Sequence, residues 1–470
     1  MDEVTVVTPT GCIGNRGIDR DAFISSLEEA DAVASDAGSF DPGPWYLGAG
    51  QTHSPFASIY ADLDLLLTEC TERGIPVLIG SAGGSGGNPH LDFTLKLVKE
   101  IATKRKLEFK LATIESDVKK EYVVNKIKKG VKIRKAPVSL LGDELTIEEV
   151  NQCTRITAMM GVEPFVEALK EGGEVIIAGR ASDSCVISAY PVFKGFDRAL
   201  SLHMGDIMEC GDTALVDLQG VTTKRGANRI PVIGTLRRDH FLLKSSHPGM
   251  GCTITSAAAH SLYERESALF AEFPGGILDK TASKFEQYDE RTTKISGTKF
   301  KESPEYTVLL EGVGRVGYRA ITIFGIRNPV MISQIDDILS EANKREAEKY
   351  HEIGKFNIYY HVYGKNGVLG AFEPEKSITS HELGIVADIV AGSQSLAHEI
   401  AEDLWLRLGF WRYKGRTTTA GNIAVLFSPN VIDAGEVYNT FIKHQMPLKN
   451  PLEPFRTKFF HVRKKRMTRA

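Results

Sequence analysis

Four times in its N-terminal half, this chain runs a short aliphatic or β-branched segment into a glycine-bearing loop and then into a helical pattern. Val4 to Val7 leads into Thr10-Gly11-Cys12-Ile13-Gly14-Asn15, and Ala32 to Ser35 leads into the Asp36 to Pro44 loop. Ile75 to Ile79 runs into Gly80-Ser81-Ala82-Gly83-Gly84-Ser85-Gly86-Gly87-Asn88, and Glu174 to Ala178 into Gly179-Arg180-Ala181-Ser182-Asp183-Ser184. Helical spacing is read over 21–29, 59–73, 91–104, 164–171 and 197–209, with a further helix starting near Val118. Strands alternating with helices predict a parallel sheet covered on both faces. The fold expected is therefore α/β: a Rossmann-like N-terminal domain over residues 1–220 and a second, α+β domain over 221–470. Residues 215–305 read as irregular. Tyr306 to Leu310 and Ala320 to Ile326 read as strands, 335–349 as a helix, Asn357 to Val362 as a strand, and 398–408 as a helix.

The formal net charge of -3 gives no whole-chain attraction to nucleic acid or to a membrane surface. The basic tract at 96–135 is interrupted by Glu100, Glu108, Glu115, Asp117 and Glu121 and reads as a solvated face. Arg463-Lys464-Lys465-Arg466 reads as a frayed basic tail. The six cysteines are scattered singly, without a CxxC pair, which points to a reducing compartment rather than a disulfide or zinc scaffold. The start lacks the pattern of a signal peptide, and no apolar run approaches the roughly 18 residues of a membrane span. A cytoplasmic homo-oligomer is expected.

In an open parallel sheet, ligands bind beyond the carboxyl ends of the strands, where these loops lie. Asp36 and Asp41 flank a glycine turn with Gly38 and Ser39. Such carboxylates either divide acid and base roles, hold a divalent cation such as Mg²⁺, or merely cap backbone donors. Ser81, Gly83, Gly84, Ser85, Gly86, Gly87 and Asn88 form a loop whose N–H groups would cradle an anion at a helix start. It is not a Walker loop. Arg180 offers a planar fork for a carboxylate or phosphate, and Ser182 and Asp183 either touch a ligand or cap the next helix. His203 is a possible general acid or base, with a satisfied helix histidine as the alternative. His53 and His90 flank the second and third loops, whereas His260 reads as helix packing. Cys12 reads as a nucleophile or, more plainly, as a buried thiol at a strand end.

The strings DAGSFDPGPWYLGAG, GSAGGSGGNPH, MMGVEPF, AGRASDSCVISAYPVFKGFDRALSLHMGDIMECG and GNIAVLFSPNVIDAGEVY together resemble the acyclic terpene utilisation family, over about Asp31 to Tyr438. That resemblance implies a setting in branched-acid or acyl-CoA catabolism and a small companion protein. It implies no particular reaction. From the residues, the leading expectation is an enzyme that moves a proton next to a carboxylate of a small acid, a hydratase or an isomerase. Asp36, Asp183 and His203 would be its acid and base groups and Arg180 its charge stabiliser. Alternatives are an acyl-CoA or nucleotide-linked enzyme, and a metabolite-binding subunit that works with the companion.

Overall fold

The computed structural model describes residues 2–463, except 138, 221–227, 264–266 and 420. The chain divides into two compact units, Met1–Gly314 with Thr440–Ala470, and Arg315–Asn439. Most of the basic tail, Lys464 to Arg466, lies outside the described residues.

The first unit is built on strands β1 (Glu3–Thr8), β2 (Ala32–Asp36), β3 (Val77–Gly80), β4 (Phe109–Glu115), β5 (Arg155–Ala158) and β6 (Val175–Ala178). Five of these pair in parallel in the order β1-β2-β3-β6-β4. β3 and β6 are buried at every position, as unbroken aliphatic runs in the middle of a doubly covered sheet require. The connecting helices include α1 (Arg20–Ser26), α2 (Pro44–Ala49), α3 (Phe56–Glu72), α4 (Asn88–Arg105), α5 (Lys120–Lys128), α6 (Ile147–Gln152), α7 (Glu163–Lys170), α8 (Asp183–Phe193) and α9 (Arg198–Met208).

Crossovers between parallel strands are right-handed, so the direction of travel across the sheet decides which face a helix covers. From β1 to β4 the chain moves one way. Phe23 of α1, Leu63 and Leu67 of α3 and Leu97 and Ile101 of α4 accordingly pack with Val7, Val33, Ile79 and Ile177 on one face. The chain then turns back to place β6 between β3 and β4. Phe165 of α7, Val186 and Ala189 of α8 and Leu202 of α9 pack with Val6, Ala34, Leu78 and Ile176 on the other. The direction reverses between β3 and β6, which makes their carboxyl ends the topological switch point. The strand order itself differs from the 3-2-1-4-5-6 of the dinucleotide-binding fold.

The stretch expected to be irregular instead extends this sheet. Strands β7 (Val232–Arg237), β8 (His240–Ser245), β9 (Lys284–Asp289) and β10 (Thr292–Ser296) continue it beyond β1 in the order β9-β10-β8-β7. β7 pairs antiparallel with the whole of β1, from Glu3 with Arg237 to Thr8 with Val232. The compact units therefore do not part near residue 220: the residues that follow complete the first sheet. The outermost of these strands, KFEQYD, is largely exposed and carries no apolar alternation, which hides it from sequence inspection. At the opposite edge the C-terminal strand Arg456–Val462 pairs antiparallel with β4.

Strand β11 (Tyr306–Ile326) is one continuous element of 21 residues where two strands are expected. In the first unit, its Leu310–Val313 stretch pairs with β5. In the second unit, its later half pairs with β13 (Leu383–Ala391), which pairs with β12 (Phe356–Tyr363). Along β13 buried and half-buried positions alternate, as in a sheet with one covered face. Ile338 and Ala342 of α10 (Ile335–Tyr350) and Ile400 and Leu404 of α11 (Gln394–Gly409) join Ile385, Ala387 and Ile389 in one core. No helix among the described residues is long and apolar enough to cross a membrane.

Candidate functional site

The loops after β2, β3 and β6 meet at the switch point, and glycines allow them to touch backbone to backbone. Gly38 has φ +143°, and a Cβ there would stand 2.6 Å from the Cα of Gly84 and 2.4 Å from His53 Nε2. A Cβ on Gly86 would stand 2.3 Å from the amide nitrogen of Arg180. The glycine loop is thus wedged between its neighbours, and Ser81 to Gly87 are all buried. Ser81 turns left-handed at φ +45° directly after β3, a conformation that costs a non-glycine residue free energy and is retained where the surroundings hold it.

Asp36 ends β2 and is 4 % exposed. Its Oδ2 accepts from the Gly38 amide at 2.7 Å, while Oδ1 has no hydrogen-bond partner among the described residues. Burial, reinforced by the charge of Asp183, holds this carboxyl well above the usual carboxylate range, against an opposing pull from Arg180. The β1 loop closes the same site: Ile13 N–H donates to the Asp36 carbonyl at 3.0 Å, and Ser35 Oγ donates to the Thr10 carbonyl at 2.8 Å.

Arg180 is placed at the site, but its fork is not open to a substrate. Nε donates to Glu311 Oε2 at 2.8 Å, and Nη2 reaches Glu311 Oε1 at 3.4 Å. Nη1 donates to Ser81 Oγ at 3.1 Å and to the Ala181 carbonyl at 3.0 Å, and meets Asp183 Oδ1 at 3.4 Å. The side chains of Arg180 and Glu311 are 6 % and 4 % exposed, so the pair is fully enclosed. A buried guanidinium needs a carboxylate of its own, and β11 supplies it. Glu311 had one signal in the sequence, a lone acid inside the apolar run VLLEGV. Asp183 stands at the first turn of α8 with its side chain 33 % exposed. Ser182 is the N-cap residue without a side-chain cap, and Ser184 Oγ donates to Glu209 Oε2 at 2.6 Å.

The helix start after the glycine loop holds an anion that belongs to the protein. The Asn88 amide donates to Asp117 Oδ1 at 2.9 Å, and Arg155 Nη1 holds the other oxygen at 3.1 Å. His90 is 1 % exposed and gives its Nε2 to the carbonyls of Tyr46 and Gln51 at 3.1 and 3.0 Å. Burial lowers the imidazole of His53 below its ordinary range, and its Nε2 has no partner among the described residues.

The sequence model described as acyclic terpene utilisation family protein AtuA matches residues 51–405, more than half of the chain. The chain belongs to the acyclic terpene utilisation family. The matched span takes in the glycine loop, Arg180, Asp183 and Glu311, and it begins after the Asp36 loop. Neither a curated protein nor a solved structure matches the chain.

Two of the expected site residues serve the fold instead in this family member. His203 is a core histidine: it is fully buried, with Nδ1 2.6 Å from Thr298 Oγ1 and Nε2 2.9 Å from Ser261 Oγ. Its ring stands edge-on to Phe241 and Phe285, and burial, helped by Lys280, lowers its pKa to about 3. It cannot carry a proton at neutral pH. Asp41 is exposed and closes a local turn by accepting from Ser39 Oγ at 2.7 Å. Among the described residues, no group of three or more histidine, cysteine or acidic side chains is arranged to hold a metal ion. Cys12 lies at the site, where burial and then the charges of Asp36, Asp183 and Asp62 raise its thiol far above the ordinary value. A thiol so held is protonated and unreactive.

Proposed function

We propose that this family member is an enzyme of proton transfer, a hydratase or isomerase, with Asp36 as general acid and Asp183 as its ionised partner. One observation carries the reading: a buried carboxyl with one unbonded oxygen, raised by its surroundings, stands near a second, partly exposed carboxylate. Two carboxyl groups whose environments drive them apart are the usual arrangement for acid and base roles at neutral pH. The protonated Asp36 would donate to a carbonyl oxygen or a leaving hydroxyl, and Asp183 would take the proton from carbon. Arg180 Nη1 meets Asp183 Oδ1 at 3.4 Å and helps to hold it in place. The strained Ser81 fixes Arg180 in turn.

The substrate is a small organic acid or its acyl derivative, and a specific feature weighs toward the derivative. Arg180 is committed to Glu311, while Asp183 and Glu209 bring negative charge to the start and end of the α8–α9 pair. A thioester or another uncharged reacting end meets no repulsion there, whereas a free carboxylate does. The six free cysteines fit a reducing, cytoplasmic setting.

The test is proton NMR in D₂O with the full chain, using free small acids in one series and their thioesters in another. Deuterium entering the carbon next to the acyl group, or a new alkene signal, is the expected result. Asp36→Asn should lower the exchange rate by about two orders of magnitude or more, the usual worth of a placed acid or base, while leaving the fold intact. Exchange that persists in Asp36→Asn removes Asp36 from the mechanism. Exchange that appears only on adding the small companion protein would instead make the chain one part of a two-component enzyme.

A further inference from the structure

We propose that the cavity at the carboxyl end of β4 is a binding site for a phosphoryl group, borne either as a free polyphosphate or as a phosphate ester. The cavity measures about 400 Å³ and is lined by residues of α4, β4, α5, β5 and the C-terminal strand, all in the first unit. Its charges do not balance. Each carboxylate that lines it is already matched: Glu115 by Lys458, Asp117 by Arg155, and Glu453 by Lys126. Three of its four lining cations are not. Lys119 and Arg456 make no ion pair among the described residues, and Lys120 Nζ reaches only the Asn151 carbonyl, at 3.0 Å. Three positive side chains therefore face one cavity with no carboxylate to neutralise them.

The backbone adds to this surplus. Helix α5 begins in the cavity with Lys119 as its N-cap, and no side chain caps its first amides. A helix of this length presents partial positive charge at that end. Three cations and a free helix start exceed what a single carboxylate can use. A phosphoryl group, with its double charge and three acceptor oxygens, matches them. The volume leaves room for a second phosphoryl group or for the first atoms of an ester. The cavity lies at the same edge of the parallel sheet as the Asp36 loop, two strands along from β3, so a phosphate-bearing substrate could be anchored here. The anion site stands whether or not Asp36 transfers a proton, because binding is read without turnover.

Titration calorimetry of the full chain in low salt with inorganic pyrophosphate, ADP and citrate tests it. Pyrophosphate or ADP should bind, weakening as salt rises. The double variant Lys119→Gln/Arg456→Gln should lose about tenfold or more in affinity, in keeping with the loss of two charge-assisted contacts, with an unchanged melting temperature in the absence of ligand. ADP binding well above pyrophosphate identifies an ester, and equal affinities identify the free anion. No binding of either at millimolar concentration, equal binding by the double variant, or tighter binding of citrate overturns the assignment.

Discussion

Each compact unit holds an arginine between two carboxylates, enclosed in the first unit and partly exposed in the second, and the two clusters have different consequences. In the first unit Arg180 lies between Glu311 and Asp183. In the second, Arg407 of α11 lies between Glu346 of α10, at 2.7 Å, and Asp403, one turn back on its own helix, at 2.8 Å. The second cluster clamps two helices, and its members are all regular helix residues. The first is assembled from the loops after β3 and β6, the start of α8 and the strand β11, at the switch point of a parallel sheet, beside a third carboxyl with an unbonded oxygen. The same pairing chemistry is structural in one place and lies at a candidate site in the other. What distinguishes them is the backbone around the charge: glycine loops packed in contact, a left-handed serine, and an acid with one oxygen unbonded among the described residues.

The comparison is broken most directly by removing one partner from each cluster. Glu311→Ala leaves the enclosed Arg180 uncompensated and should cost about 3–5 kcal/mol in urea unfolding. Arg407→Ala should cost less, about 1–3 kcal/mol, because Glu346 can take up a proton in place of its lost partner. Equal losses would mean that the two clusters serve one structural purpose.

Next in size is a pH effect on the second cluster. Burial, opposed by Arg407 and aided by the charge of Asp403, raises Glu346 to about 7 from an unfolded value of 4.5. Between these values the unfolded chain has lost the proton and the folded one keeps it. Stability therefore falls as pH rises through this window, and the penalty is complete above it. Glu346→Gln should make that decline shallower without abolishing it, because the raised carboxyl of Asp36 adds a slope of the same sign. A decline as steep as that of the wild type would assign the slope to other groups.

The smallest effect is expected at Cys12. Cys12→Ser should change stability by about 1 kcal/mol or less and leave exchange activity in place, and the native thiol should react slowly with iodoacetamide at pH 8. Rapid alkylation coupled to loss of activity would return Cys12 to the chemistry.

The repeating elements of the first half are legible in the sequence because parallel strands are buried on both faces and read as unbroken runs such as VLIG and VIIA. The edge strands are not, since KFEQYD has one side in water and no apolar face to betray it. At the site, loop position pointed to Asp36, Arg180 and Asp183. It could not show that Arg180 is spent on Glu311, because that partner lies 131 residues away in a strand read for its apolar content. His203 misled because polarity in a helix says nothing about which neighbours satisfy it. Thr298 and Ser261 do so from positions 95 and 58 residues away in the chain.

The strand Arg456–Val462 closes the β4 edge of a sheet whose other members were made long before it. During synthesis the ribosome releases the parallel core, then the whole of the second unit, before this last strip emerges. For that interval β4 presents unpaired amides and carbonyls, an invitation to pair with another chain. When the strip arrives it brings Phe459 under Lys110 and Phe460 under Lys99. A nascent chain stalled just short of Arg456 should be the form that chaperones hold longest.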